Sequence, residues 1–203
     1  MILKTGFLWI LLAGLVYGGI HSAFASTTVK LWVTNQYCLD DPKMYRFIYV
    51  LQSFFFTLIY IFVLFLFPDQ RLYLLPSPWR YLFMLIEAAA LVCGILSLKQ
   101  AGIWSFLGLE SFKPNTSTAQ TPTLMTGGFY RFVRHPLYLF SILFIWFVPL
   151  MTWNILAFDI GSTIYMFIGS IFEERKLAQD FGQVYIDYQK RVPSFLPRLI
   201  RKP

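Results

Sequence analysis

LYLFSILFIWFVPLMTW (residues 137–153) is followed by a single asparagine, Asn154, and then by ILAFDIGSTIYMFIGSIF (residues 155–172). At a helical rise of 1.5 Å per residue, runs of this length each cross about 25 Å. That is close to the thickness of a hydrocarbon core. Lipid permits no long polar connection within it, so Asn154 reads as a tight turn and the two runs as an antiparallel helical hairpin.

Three more apolar stretches lie upstream: Gly6–Ala25, Phe47–Phe67 and Trp79–Leu98. Pro68 and Asp69 stop the second, while Pro76, Ser77 and Pro78 precede the third. The whole 203-residue chain fits this reading, with 57% hydrophobic, 20% aromatic and only 13% charged residues. Soluble domains carry about twice that charge fraction. Mean hydropathy is +0.59. The expected fold is all-α: a single polytopic membrane domain over 1–203 with about five transmembrane helices and a C-terminal amphipathic helix.

Orientation follows from the basic residues. With the C-terminus in the cytosol, fourteen of the seventeen Lys and Arg residues fall on the inside, leaving Lys4, Arg71 and Arg80 outside. The positive-inside rule therefore predicts N-terminus out and C-terminus in, in a membrane such as the bacterial inner membrane. It assigns the net charge of +7 to membrane lipids rather than nucleic acid. Lys4, the apolar run and Ala23-Phe24-Ala25 also have the composition of a signal peptide with a small-residue cleavage site. The preferred reading is a retained first span, in which the spacing of Gly14 and Gly18 permits close helix packing.

Cys38 and Cys93 are too few for a disulfide framework and match no metal-ligand spacing, so no metal is expected. The connection from Lys99 to His135 and the tail from Glu173 onward are the largest polar segments, and both are expected in the cytosol. Neither accommodates a doubly wound nucleotide domain, since one βαβ unit alone takes roughly 30 residues. No GxGxxG, P-loop, HExxH or GxSxG occurs. Any cofactor must be held by helix ends, short loops and the tail. Lys113–Thr126, rich in Ser, Thr, Pro and Asn, reads as a loop and a candidate lid. In the tail, Leu177, Phe181, Val184, Tyr185 and Tyr188 recur at helical steps and predict one apolar face on a helix continuing from the fifth span. Val192-Pro193 ends it.

Two polar clusters flank the hairpin: Tyr130, Arg131, Arg134, His135, Pro136 and Tyr138 at its entrance, Glu173 and Glu174 at its exit. The fold-back predicts that Arg134 and His135 lie near the two glutamates. Charges at the membrane boundary are costly unless paired, which makes them functional candidates; an inter-helix salt bridge that pins the hairpin is the competing reading. His21, near the inner end of the first span, is a second candidate histidine. Glu87 lies midway along the third span, where it either orients an acceptor or serves as a neutral structural acid.

The run GGFYRFVRHPLY (127–138), followed by EERKLAQDFGQVYIDYQKRVPSFLP (173–197), resembles the isoprenylcysteine carboxyl methyltransferase and phospholipid methyltransferase group of integral membrane enzymes. HSAFASTTVKLW (21–32) and the PLMT turn (149–152) are most similar to its small bacterial members, such as the methanethiol S-methyltransferases and NnrU-like proteins. Phe140-Ser141 departs from the pattern, because many relatives carry glycine there. The resemblance implies S-adenosylmethionine as cofactor, in a pocket formed by the inner ends of the last two spans and the tail. It implies Tyr130, Arg134, His135, Tyr138, Glu173, Glu174, Tyr185 and Arg191 as cofactor-binding residues. An arginine, Arg134 or Arg191, suits the donor's carboxylate; Glu173 or Glu174 suits its ammonium and ribose hydroxyls; tyrosine faces suit the sulfonium. His135, Arg134 and His21 are the candidate catalytic residues.

The expected reaction is methyl transfer to a lipophilic or small apolar acceptor: a thiol, a prenylcysteine carboxylate or an aminolipid. No protein partner is inferable. Two other readings compete. One is an NADPH-dependent reductase of the sterol reductase type, which shares the Arg-His-Pro and Val-Pro pattern but has more spans. The other is a non-catalytic scaffold or binding protein.

Overall fold

The computed structural model describes residues 4–36, 42–109 and 123–197, without the side chains of Pro42, Lys43 and Ser105. Cys38 and most of the 113–126 loop lie outside the described residues. In chain order the elements are α1 (Phe7–Ala25), α2 (Thr27–Gln36), α3 (Pro42–Val63), β1 (Arg71–Leu74), α4 (Trp79–Ala101) and α5 (Ile103–Phe106). A 3-10 turn η1 (Gly128–Arg131), α6 (Pro136–Trp146), β2 (Leu150–Thr152), α7 (Trp153–Phe181) and α8 (Gln183–Arg191) follow.

The chain is an all-α integral membrane protein with one small β ribbon. Among the described residues, α1, α3 from Met44, α4 and α7 are long and apolar enough to cross a membrane. The fourth expected span differs. Helix α6 stops at Trp146, because Pro149 and the β ribbon take over the remainder of the 137–153 run. At 1.5 Å per residue its 11 residues cover only about 17 Å. The turn within the hairpin is thus at 147–149 and β2, with Asn154 already inside α7.

Two compact units emerge. The first contains α1, α2, α3, β1, α5, β2 and α7 up to Ser162; the second contains α4, η1, α6, the remainder of α7 and α8.

In the first unit, Ile10 of α1, Tyr60 of α3 and Ala157 of α7 form a buried core, with Phe7, Leu11, Tyr17 and Phe158 packed around it. β1 and β2 pair antiparallel, Arg71 with Thr152, Tyr73 with Met151 and Leu74 with Leu150, with an irregularity between Arg71 and Tyr73. An isolated two-stranded ribbon is marginal in water. Here Asn154, 1% exposed, fastens it. Its Nδ2 donates to the carbonyls of Leu64, Phe67 and Pro68 at 3.2, 3.3 and 3.4 Å. Its backbone N–H donates to Asp69 Oδ1 at 3.1 Å, and Trp153 N–H to the Gln70 carbonyl at 3.1 Å. The asparagine that the sequence marks as a turn is instead a buried clasp on the chain leaving α3.

In the second unit, α4 and α6 form the most extensive helix pair. Gly94 of α4 faces Phe140 of α6: a Cβ on the glycine would meet the Phe140 Cβ at 3.7 Å. The bulk at 140, where glycine was expected from the resemblance, is therefore met by a small residue on the neighbouring helix. Helix α7 continues past the apolar run to Phe181, and Gly182, at φ +55°, breaks it from α8. The tail helix is consequently a separate element rather than a continuation of the fifth span. Tyr185 and Tyr188 are buried, with Leu177 and Phe181 packed against them, while Val184 is 65% exposed and does not belong to that face.

Substituting Asn154→Leu should leave at least one buried carbonyl unpaired and destabilise the protein by about 1 to 3 kcal/mol. A lowered midpoint for thermal unfolding in detergent is the expected result.

Candidate functional site

The site grows from a fold-back in the second unit. The residue before a proline is biased away from helical geometry, so His135 stands outside α6 with φ −121° and ψ 62°, and Pro136 opens the helix. The exposed N–H groups of this segment pair with the tail: Arg134 N–H donates to the Pro193 carbonyl at 2.8 Å and His135 N–H to the Ser194 carbonyl at 3.1 Å. That pairing brings Arg134 against the C-terminal end of α8.

All five N–H donors of Arg134 are engaged. Nε and Nη2 donate to Glu174 Oε1 at 2.9 and 2.6 Å, and Nη2 also donates to Ser194 Oγ at 2.6 Å. Nη1 donates to the carbonyls of Gln189 and Val192 at 3.1 and 2.5 Å. Glu174 Oε1 further accepts from Ser194 Oγ at 2.9 Å, and Oε2 accepts from Gln189 Nε2 at 3.0 Å. His135 Nε2 lies 2.9 Å from Glu174 Oε1. An ionised carboxylate only accepts, so His135 donates there through Nε2.

Glu173 has a different setting. Consecutive helical residues point about 100° apart, and its side chain is 47% exposed against 19% for Glu174. Its Oε2 is 3.6 Å from His135 Nδ1, beyond hydrogen-bond distance. The His135 ring, 4% exposed, lies between Tyr138 and Phe195, each with its centroid 5.5 Å away.

The tyrosines complete the wall. Tyr188 OH donates to the Tyr130 carbonyl at 2.6 Å, tying α8 to η1. Burial, followed by the nearby Glu173 charge, pushes the Tyr130 phenol up to about 12; burial likewise pushes Tyr188 up to about 12 and raises Tyr185. These phenols therefore remain neutral donors at any physiological pH. Tyr185 is 1% exposed, and its hydroxyl has no hydrogen-bond partner among the described residues. From below, Gln100 Oε1 at the end of α4 accepts the Phe129 N–H at 3.0 Å. Gly128, at φ +58°, has no room for a side chain against the Gln100 amide.

Among the expected site residues, the structure thus brings together Arg134, His135, Glu174, Glu173, Tyr138, Tyr185 and the Tyr130 backbone. Arg191 is exposed and uses Nε on the Asp187 carbonyl, at 3.2 Å. His21 belongs to the first unit, with its Nε2 3.0 Å from Tyr49 OH and its ring near Tyr17. Ser194 and Gln189 are components that the sequence reading did not single out. Both belong to the VPSFLP and YQK segments quoted for the resemblance, but only the fold-back reveals their partner. Asp159, 1% exposed with Oδ2 unpartnered among the described residues, was also passed over. A lone acid inside an apolar run was the available signal.

A model of the phospholipid methyltransferase family matches residues 79–184, just over half of the chain. The protein belongs to that family. The match includes Arg134, His135, Glu173 and Glu174. Relatives include the methanethiol S-methyltransferase of Pseudomonas deceptionensis, 41% identical over 95 residues, which are 47% of this chain and 34% of that protein. Methanethiol S-methyltransferase 2 of Bradyrhizobium diazoefficiens is 36% identical over 108 residues, 53% of this chain and 38% of that protein. That of Mycobacterium tuberculosis is 43% identical over 68 residues, 34% and 28% of the two chains. The matched segments thus span about a third of the length of these relatives. No solved structure matches.

Glu174→Gln should destabilise the protein by about 3 kcal/mol, because it leaves the Arg134 guanidinium without its counter-charge. Glu173→Gln should leave the melting temperature nearly unchanged. Calorimetry of both variants in one detergent checks the contrast. Gln100→Ala should cost about 1 kcal/mol through loss of the Phe129 N–H acceptor, read as faster amide exchange confined to the 127–131 turn.

Proposed function

We propose that the protein is an S-adenosylmethionine-dependent methyltransferase of the bacterial inner membrane, N-terminus out and C-terminus in, acting on a small apolar acceptor, with a thiol as the first candidate. The observation that carries this reading is the coincidence of the family match with the folded-back Arg134–His135–Glu174 cluster. The names of the relatives point to a thiol among the acceptors the sequence leaves open.

The residues present fit such a donor in specific ways. Tyr185 offers an orphaned buried hydroxyl. Glu173 offers a half-exposed carboxylate beside His135 Nδ1, and this pair of acceptors suits ammonium or hydroxyl donors. Tyr130 and Tyr138 offer aromatic faces that attract a sulfonium. Arg134, by contrast, has no donor left for a ligand carboxylate. Its work is to hold the tail, whereas Arg191 uses Nε alone among the described residues.

S-adenosylmethionine supplies an electrophilic methyl group on a sulfonium leaving group. The protein's part is placement and dryness. Holding two reactants in line accounts for up to about 7 to 11 kcal/mol of a barrier. Thiols have a pKa near 8.5 and react as thiolates, so a thiol acceptor must surrender a proton. His135 faces carboxylates on both sides, Glu174 through Nε2 and Glu173 through Nδ1.

Melting of the detergent-purified protein with S-adenosylhomocysteine, with NADPH and with neither tests the reading. A ligand at 100 times its dissociation constant stabilises by about 2.7 kcal/mol. A rise with S-adenosylhomocysteine alone, abolished in Glu173→Gln, is the expected result, followed by transfer of labelled methyl to methanethiol. A rise with NADPH alone would move the protein to the reductases.

A further inference from the structure

An apolar cavity of about 420 Å³ opens between α1 and α3 in the first unit, lined by Trp9, Ala13, Val16 and Ile20 on one side and by Phe56 and Ile59 among others on the opposite side. We infer that this groove is a binding site for one acyl chain of a membrane phospholipid.

Its length supports this. From Trp9 to Ile20 the helical rise gives about 16.5 Å, which matches the depth of one leaflet of a hydrocarbon core about 30 Å thick.

Its chemistry narrows the occupant further. The polar groups of the lining are few: Tyr17 OH bonds Thr57 Oγ1 at 2.9 Å, and the buried Tyr60 hydroxyl, without a hydrogen-bond partner among the described residues, stands where a side chain on Gly14 would. Water needs two to four polar partners to stay in such a space, so the groove is either dry or filled by hydrocarbon. An empty groove forfeits dispersion contacts along both walls. At one end Trp9 stacks on Phe67, centroids 6.2 Å apart and planes 4° from parallel, an aromatic pair at the level where headgroups begin. The exposed Lys4 stands at this same end of α1 and complements a lipid phosphate.

The test uses the full chain in nanodiscs of phosphatidylglycerol and phosphatidylcholine, with a trace of phosphatidylglycerol carrying a diazirine at mid-chain. After irradiation, adducts are mapped by peptide mass spectrometry. The expected result is labelling of the α1 and α3 peptides that is lost in Val16→Phe, which fills the groove from its rim, and retained in Leu15→Phe on a lipid-facing position outside it. Ala13→Phe, filling the groove from its floor, gives the same loss and covers the case in which Val16→Phe does not fold. Equal labelling in a folded Val16→Phe or Ala13→Phe protein overturns the assignment. So does a dimer in unsubstituted protein that Val16→Phe dissociates, since a second copy would then be the occupant.

Discussion

The carboxylate of Glu174 is the constraint on which the second unit depends. One oxygen receives Arg134 twice, His135 and Ser194, and the other receives Gln189. Ion pairs of this kind contribute little when solvated. At 12% and 19% side-chain exposure, however, removing either partner strands a desolvated charge. The guanidinium supplies what an ammonium would not, a planar fork that reaches a carboxylate and two backbone carbonyls together. Three segments far apart in sequence, the approach to α6, the end of α7 and the chain after α8, are thereby fixed to one another.

The first unit depends on the opposite chemistry. Its core is Ile10, Tyr60 and Ala157, and Asn154, an uncharged side chain, satisfies carbonyls left open where α3 ends. A neutral amide is a cheaper group to bury than an ion. This accounts for the short ribbon of β1 and β2 at a place where apolar composition alone suggests continued helix. Pro68, Pro76 and Pro149 withdraw N–H donors around it, and the remaining backbone groups find partners across the ribbon.

Much of this was legible in the sequence, for physical reasons. Apolar runs of membrane length report themselves through composition, so α1, α3, α4 and α7 follow directly from it. The proximity of Arg134 and His135 to Glu173 and Glu174 follows from fold-back alone. What composition does not encode is where helical geometry yields within an apolar run. Pro149 was visible in LYLFSILFIWFVPLMTW, but the loss of helix after Trp146 depends on pairing with residues 71–74, a contact made across more than seventy residues. Similarly, the period of Leu177, Phe181, Tyr185 and Tyr188 survives the break at Gly182, and so the break was hidden. Val184 shared that period, and the break leaves it in solvent. The roles of Ser194 and Gln189 were hidden because a serine and a glutamine acquire meaning only from the charge placed beside them.

The two adjacent glutamates show how one helix places neighbouring carboxylates in different settings. Their neighbourhood in sequence suggests interchangeable carboxylates. Helical rotation separates them into different environments. Glu174 turns toward donors of its own chain, four on Oε1 and one on Oε2. Glu173 stays half exposed, with one histidine nitrogen nearby and beyond bonding distance. A group already satisfied gains little from a ligand, whereas an under-satisfied acceptor at the edge of a desolvated cluster gains a full hydrogen bond. The same reasoning separates Tyr188, whose hydroxyl is spent on the Tyr130 carbonyl, from Tyr185, whose hydroxyl is buried and unspent. Arg134, Glu174, Tyr188 and Ser194 hold the fold-back together, and the Tyr185 hydroxyl is buried beside them without a partner among the described residues.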